Sequence, residues 1–454
     1  MTTGEPVTAP AADRWGAVVA VGLTVFVTAA DMTIVGVALP TLSRDFGVGP
    51  DVVQWAVLGY VLPLVALGLP AGRWADTVGK RPAFGLAVLG FGAASVLVAL
   101  AGGLATMVAA RVLQGVFGAL ISALVLATVA RSVRVEVLGR AIGLVAALGP
   151  LGAAAGPPVG GLLIEAFGWP SVFLVNVPVC LLAGWLGMRS IPAGGAGLTP
   201  PRRSWLLDAG LLGAGGAALL LALQELGPPR PLPLAGVSLL VLAVVAVAVW
   251  ARRPDARSAT AVFADPVPRY WLLASCLGGI VSGAIGFLSP FHLADGLHTS
   301  AAVTGVALLA FPAGMVAFAP VGGFVGDRWG HHLAGLAGTA VMLAGTLTLV
   351  GAAPGWGPAD VAWRLALVGA GTGILAGPCQ AAVMAAAGPG REATVGATSS
   401  LTLNLGFAMG PPIGSFCWRW GGGDPADPAT GYAAAAVAAA LALLAILLVS
   451  RRSR

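Results

Sequence analysis

The sequence predicts an all-α integral membrane protein of fourteen transmembrane helices, arranged as two six-helix pseudo-symmetric bundles with two further helices inserted between them. Three observations carry this reading. Of the 454 residues 58% are hydrophobic and only 9% charged, with a mean hydropathy of +0.93, which no ordinary soluble domain shows. Apolar runs of about 20 residues, the length a helix needs to cross ~30 Å of hydrocarbon, recur along the whole chain. Short landmarks of the first half also return in the second at a nearly constant offset. The 67 Gly and 33 Pro fit such a protein, because small residues let membrane helices approach closely and kinks are tolerated there.

Taken in order, the first span lies near 15–39. It carries Asp31 as the single charge between Arg14 and Arg44 and lacks a small-residue cleavage site, so it reads as a retained helix and not a signal peptide. Spans near 52–71, 83–101, 104–129, 138–163 and 171–188 complete a first bundle, residues 1–188. Spans near 206–225 and 232–251, joined by Pro-rich GPPRPLP (227–233) and bordered by polar linkers 189–205 and 252–269, form the insertion, residues 189–269. Spans near 270–291, 301–324, 332–352, 360–386, 393–416 and 430–449 form the second bundle, residues 270–454. An even count puts both termini on one side. If that side is the cytoplasm, it holds nineteen of the twenty-four Lys and Arg, against Arg44, Arg230 and Arg419 outside, a strong positive-inside bias.

The repeat is local but regular. GRWADTVGKRP (72–82) is echoed by GFVGDRWGHH (323–332), with Asp76 and Gly79 matching Asp327 and Gly330. GPPVGG (156–161) returns as GPPIGS (410–415), and Arg111 has a counterpart in Arg364. Two homologous halves around a central site are the architecture of transporters that rock one bundle against the other.

DMTIVGVALP (31–40), GRWADTVGKR (72–81), RVLQGVFGA (111–119) and GPLGAAAGPPVGG (149–161) together resemble motifs of the major facilitator superfamily. With fourteen spans, the resemblance is to its drug:proton antiporter branch and covers essentially the whole chain. It implies proton-driven export of small, often amphipathic or cationic, compounds from a bacterial cell, through the cytoplasmic membrane, with both termini inside. Two positions depart from the family pattern: Gly36 stands where Asn is usual, and Thr77 where Arg is usual.

Candidate residues follow. An ionised carboxylate in hydrocarbon costs roughly 2.5–3.5 kcal/mol on insertion scales, so Asp31 needs a partner or a task. Sixteen or so residues into a helix starting inside, it sits ~24 Å along, in the outer half, at a depth Arg111 can share from the opposite side. The pair is a candidate proton switch, and equally a fixed link between helices. The resemblance implies a cavity lined by spans 1, 2, 4, 9, 12 and 13, with Trp55, Tyr60, Gln114, Phe287 and Asn404 as substrate contacts and Gln380 as an alternative. Between spans 2 and 3, Gly72 and Gly79 permit a tight turn, while Asp76, Lys80 and Arg81 supply charges for a gate in which Asp76 faces a helix N-terminus. Asp327 and Arg328 are the second-half echo. Gly149, Gly156, Pro157, Gly160 and Gly161, the antiporter motif of the resemblance, place small residues along span 5 for close packing.

Other functions are excluded. GAGTG (369–373) and GAGG (213–216) lie inside spans, and no GxxxxGK[ST] exists, against nucleotide binding and an ATP-driven pump. Four scattered Cys and four His in loops give no zinc spacing and no HExxH, so no metal and no cofactor is expected beyond a proton gradient as energy source. The basic residues form no patch for nucleic acid. A membrane-embedded lipid-modifying enzyme would need clustered acids or histidines near the interface, and none is present. The expected partners are a small-molecule substrate, protons and the lipid bilayer, with the chain a monomer. Few acids lie inside the spans, which disfavours divalent organic cations as cargo.

Overall fold

A computed structural model of the chain describes residues 13–193, 197–225, 234–351, 355–385 and 392–452. Its long helices are α1 Trp15–Phe46, α2 Trp55–Thr77, α3 Lys80–Ala99, α4 Leu104–Ala130, α5 Val135–Phe167, α6 Asn176–Ser190 and α7 Arg203–Glu225. They continue as α8 Leu234–Arg252, α9 Pro266–Phe291, α10 Ala301–Trp329, α11 His331–Val350, α12 Pro358–Ala385, α13 Glu392–Trp420 and α14 Ala429–Arg452. The Pro-rich joint 227–233 lies outside the described residues.

Thirteen helices among the described residues are long and apolar enough to span a bilayer. The remaining one, α13, is long enough at 29 residues, but Thr and Ser side chains dilute its hydropathy. They are tolerated because Thr398 and Thr402 are buried and return their hydroxyl protons to their own helix, Thr398 to the Thr394 carbonyl and Thr402 to the Thr398 carbonyl, both at 2.8 Å. One further difference concerns the linker 252–269. It contains a short helix, Arg257–Ala264, whose Ala259 and Val262 are buried by facing one way, a pattern that its polar neighbours conceal in the sequence.

The halves repeat one packing plan. In the first, α1 packs on α5 and α6, α2 on α4, and α3 on α4 and α6; in the second, α9 packs on α13 and α14, α10 on α12, and α11 on α12 and α14. Between halves the most extensive contacts are α5 with α10 and, by the same pseudo-symmetry, α13 with α2, and α1 also meets α9. The inserted α7 lies against α2 and α13, so it touches both halves.

Two ends of the molecule are distinguishable. At the end bearing the N-terminus, the Arg14 amide donates to the Ser132 carbonyl at 2.8 Å, and Arg134 pairs with Asp13 at 3.0 Å. The Arg134 guanidinium and amide hold the Asp13 carboxyl below its usual 3.8. A depressed carboxyl contributes its stability above the ordinary value and loses it as pH falls through the lowered one. Exchange protection of the Arg134 amide, bonded to Asp13 Oδ1 at 2.9 Å, is therefore expected to persist at pH 5 and to drop below pH 3.8. Hydrogen–deuterium exchange across that range checks this.

At the opposite, far end the halves are fastened together. Asp51, before α2, pairs with Arg419 of α13 at 3.1 Å, and Gln224 of α7 sits between them. Gln224 Nε2 donates to the Asp51 carbonyl at 3.1 Å, while Arg419 donates to the Gln224 carbonyl at 3.2 Å. Across the α5–α10 contact the Ala302 amide donates to Glu165 at 3.2 Å. The Asp51–Arg419 pair is partly exposed, and such pairs are worth under about 1 kcal/mol. Arg419→Gln is accordingly expected to change far-end opening by less than about fivefold, read as the labelling rate of a cysteine placed at the seam.

Candidate functional site

Asp31 lies on α1, which starts at Trp15 as expected and continues beyond the expected end at 39, through Pro40 to Phe46. Its carboxylate is fully buried and held by three side chains. Arg111 Nη1 of α4 donates to Oδ2 at 2.6 Å, and Gln114 Nε2 and Asn176 Nδ2 of α6 donate to Oδ1 at 3.0 and 2.8 Å. Ser95 of α3 accepts from Gln114 at 2.8 Å and from Asn176 at 3.3 Å. Arg111 is itself 1% exposed, donates from Nε to the Ala56 carbonyl at 2.8 Å, and lies 4.5 Å from the Tyr60 ring centroid. Five helices of the first half thus converge on one charge pair. Removing either partner from such a pair typically costs 3–5 kcal/mol, because the other is left buried and uncompensated.

The pair does not face the space between the halves. A cavity of about 90 Å³ lies there, bounded on α1 by Met32, Thr33, Gly36 and Leu39, and elsewhere mainly by Val57, Phe287, Leu308, Phe311 and Phe407. At 100° per residue these α1 positions form one face and Asp31 another. Gly36 lines this cavity because α1 and α9 are close: a Cβ there would stand 3.4 Å from the Gly286 carbonyl. The Asn usual in the family would fill that space.

The small residues of α5 divide into two edges. Gly156 and Gly160 meet α1, where a Cβ at Gly156 would collide with the Thr33 hydroxyl and one at Gly160 with Ile34. Gly149 lies beside Val25 of the same helix, its would-be Cβ 3.4 Å from Val25 Cγ1. Thr33 ties this contact by donating to the Ala153 carbonyl at 3.0 Å. Pro157 and Gly161, one residue on from Gly156 and Gly160, meet α10 instead. A Cβ at Gly161 would collide with the Ala301 backbone, and one at Gly305 with the Pro157 carbonyl. One short motif therefore serves both the interior of the first half and its seam with the second.

The remaining sequence-derived residues are placed as follows. Phe287 lines the central cavity. Tyr60 and Gln114 are buried within the charge network. Trp55 donates to Gln224 Oε1 at 2.9 Å, and half-buried Asn404 lines none of the cavities described here. Gln380 lines a second cavity, in the C-terminal half. Gly72 lies inside α2 and makes no turn, because the helix runs on to Thr77, and a Cβ there would meet open space. Only Val78 and Gly79 separate α2 from α3; Lys80, the first residue of α3, donates to the Ala75 carbonyl, and Arg81 is half-buried. Asp76, Asp327 and Arg328 are exposed and make no hydrogen bond or ion pair among the described residues. Thr77 donates to the Trp74 carbonyl of its own helix at 2.9 Å. Near the end of α2, Arg73 turns to the insertion, pairing with buried Asp208 at 3.0 Å, which Arg253 also binds at 2.6 Å. Arg364, the counterpart of Arg111, lies against Trp356 at 3.7 Å. Sequence reasoning missed Ser95, Asn176 and Gln224. A lone Asn in span 6 was the only available signal for the first two.

Two pseudo-symmetric helical bundles with a cavity at their seam and a buried charge network beside it define a membrane transporter, not an enzyme. The chain belongs to the Major Facilitator Superfamily, whose family model matches residues 21–263 and 270–454. It is 30% identical over 406 residues to the drug efflux pump JefA of Mycobacterium tuberculosis, covering 87% of this chain and 78% of that one. It is 32% identical over 350 residues to the tetracenomycin C resistance and export protein of Streptomyces glaucescens, covering 74% and 63%. It is also 28% identical over 410 residues to the riboflavin transporter RibZ of Clostridioides difficile, covering 87% and 86%. These relatives place it in the multidrug-efflux family of the superfamily. Among solved structures, a bacterial homologue of the human lysosomal transporter Spinster has the same fold, with a TM-score of 0.68, 16% identity and coverage of 99% and 98%.

Proposed function

We propose that the protein exports small amphipathic compounds from the bacterial cytoplasm in exchange for protons, by alternating access of the cavity between its halves. The observation that carries the reading is the Asp31–Arg111 pair, fully buried and held by three donors, in a bundle whose far end is closed against its partner. A proton on Asp31 cancels the ion pair and leaves Arg111 unbalanced in a low dielectric. The network is then stable only if α1 and α4 shift, and α1 is also a wall of the cavity. Protonation and cavity shape are linked through one helix.

The basic residues of the terminal-end loops support a cytoplasmic position for that end, and with the far end closed the arrangement reads as inward-facing. The exposed Asp76 and Asp327 fit it, since a cytoplasmic gate that is open leaves its charges disengaged. Relatives named as efflux pumps and export proteins support the outward direction. The test is efflux of a panel of antibiotics and dyes from cells, with and without an uncoupler. Export insensitive to the uncoupler would remove proton coupling. The similarity to a riboflavin transporter supports a second reading, facilitated movement of a metabolite, and counterflow in oriented vesicles separates the two.

A further inference from the structure

We propose that the cargo is an uncharged, two-ended molecule, with a flat apolar part seated between the halves and a carbonyl- or hydroxyl-bearing part held inside the C-terminal half. The proposal rests on the transporter reading above and names the class of its substrate. Two cavities carry it. The central one is walled by Phe287, Phe311, Phe407 and Met32, with Thr33 and Ser282 as its only side-chain hydroxyls among the described residues. The second, about 120 Å³, lies between α9, α12 and α13 and is lined by Ser275, Thr372, Gln380, Ser399 and Ser400.

The two cavities are consecutive stations along the same three helices. On α9, Gly278 borders the second and Gly286 the first; on α13, Leu403 and Phe407; on α12, Thr372 and Leu365. Steps of four to eight residues at 1.5 Å per residue separate the stations by roughly 6–12 Å, the length of a two- or three-ring molecule.

The chemistry of the lining selects neutrality. Among the described residues, no Asp, Glu, Lys, Arg or His borders either cavity. The neighbouring carboxylate, Asp31, faces away and is spent on Arg111, Gln114 and Asn176. A cation or anion seated here loses its water without a counter-charge, a penalty that a neutral molecule avoids. The second cavity offers hydrogen bonds instead. Gln380 Oε1 accepts from Ser399 at 2.9 Å, which leaves the Gln380 amide N–H groups to donate to a ligand carbonyl. Thr372 donates to the Val368 carbonyl at 2.9 Å, which leaves its oxygen to accept from a ligand hydroxyl.

The test uses the full chain in an efflux-deficient bacterial host, loaded with one of two dyes on the same benzophenoxazine ring. Nile red is uncharged and ends in a carbonyl; Nile blue carries an iminium in that place and is a cation. Initial export above an empty-vector control is expected to be at least tenfold faster for Nile red. Gln380→Leu is expected to slow Nile red at least fivefold at equal membrane abundance, and Gln380→Glu, which sets a carboxylate where the polar end is held, to raise Nile blue export to or above that of Nile red. Equal or faster export of Nile blue by the unaltered chain, or export of neither dye, overturns the assignment. Nile red export that keeps its tenfold preference but ignores an uncoupler sinks the proton-driven reading and leaves the substrate class standing.

Discussion

Asp31→Asn alone is expected to abolish uphill export and to lower the thermal stability of the protein, and adding Arg111→Gln is expected to restore the stability but not the export. The single change leaves a guanidinium that is 1% exposed without its carboxylate, and its Asn can present only one acceptor oxygen to three donors. The loss is of the order of 3–5 kcal/mol, large enough to deplete folded protein. Replacing Arg111 as well removes the unpaired charge, and most of that cost with it, because a neutral hydrogen-bonded network of similar volume is tolerated. A purely structural pair would then transport normally. A proton switch would not, because nothing in the network can change charge. Melting temperature in detergent and drug accumulation in vesicles separate the two roles.

Gly161→Leu is expected to slow export at least about fivefold by disfavouring the far-closed state, whereas Gly156→Leu lowers stability without moving that equilibrium. The difference lies in which surfaces the two glycines touch. Gly161 meets the Ala301 backbone across the seam, a contact that opens when the halves rock apart at the far end. Overpacking costs about 1–3 kcal/mol, and here it falls on one state only, so the population shifts by roughly 5- to 150-fold. Gly156 meets Ala30 and Thr33 within the first half, where α1 and α5 move together, so both states carry the penalty. Cysteine accessibility at the far end in the two variants reports the populations directly.

The bilayer itself explains how much of this was legible from sequence. A span must hide its backbone in a helix and show apolar side chains to lipid, so length and hydropathy give thirteen of the helices. Even α13, which dilutes the signal with buried hydroxyls, keeps the GPPIGS echo of α5. A carboxylate in hydrocarbon needs a partner, which makes Asp31 conspicuous and Arg111 its natural mate. Ser95 and Asn176 carry no comparable penalty. One Ser or Asn in an apolar helix satisfies itself on a neighbouring carbonyl as readily as on a distant carboxylate, so their convergence on Asp31 appears only once α3 and α6 are placed. The substrate contacts were the least legible. Trp55, Tyr60 and Gln114 have the residue types of a binding site, but helix rotation decides between cavity and core, and apolar membrane helices have little amphipathic signal from which to read it. Phe287 lines the cavity beside Ser282, Phe311 and Phe407, none of which has a distinctive sequence setting.

The central claim is that a proton on Asp31 powers movement of cargo. The most direct measurement is cargo accumulation in vesicles of uniformly oriented protein under an imposed pH gradient, comparing the unaltered chain with Asp31→Asn/Arg111→Gln. The account predicts uphill accumulation that collapses with the gradient for the unaltered chain, and only downhill equilibration for the double variant. Uphill accumulation by the double variant at the unaltered rate would contradict it.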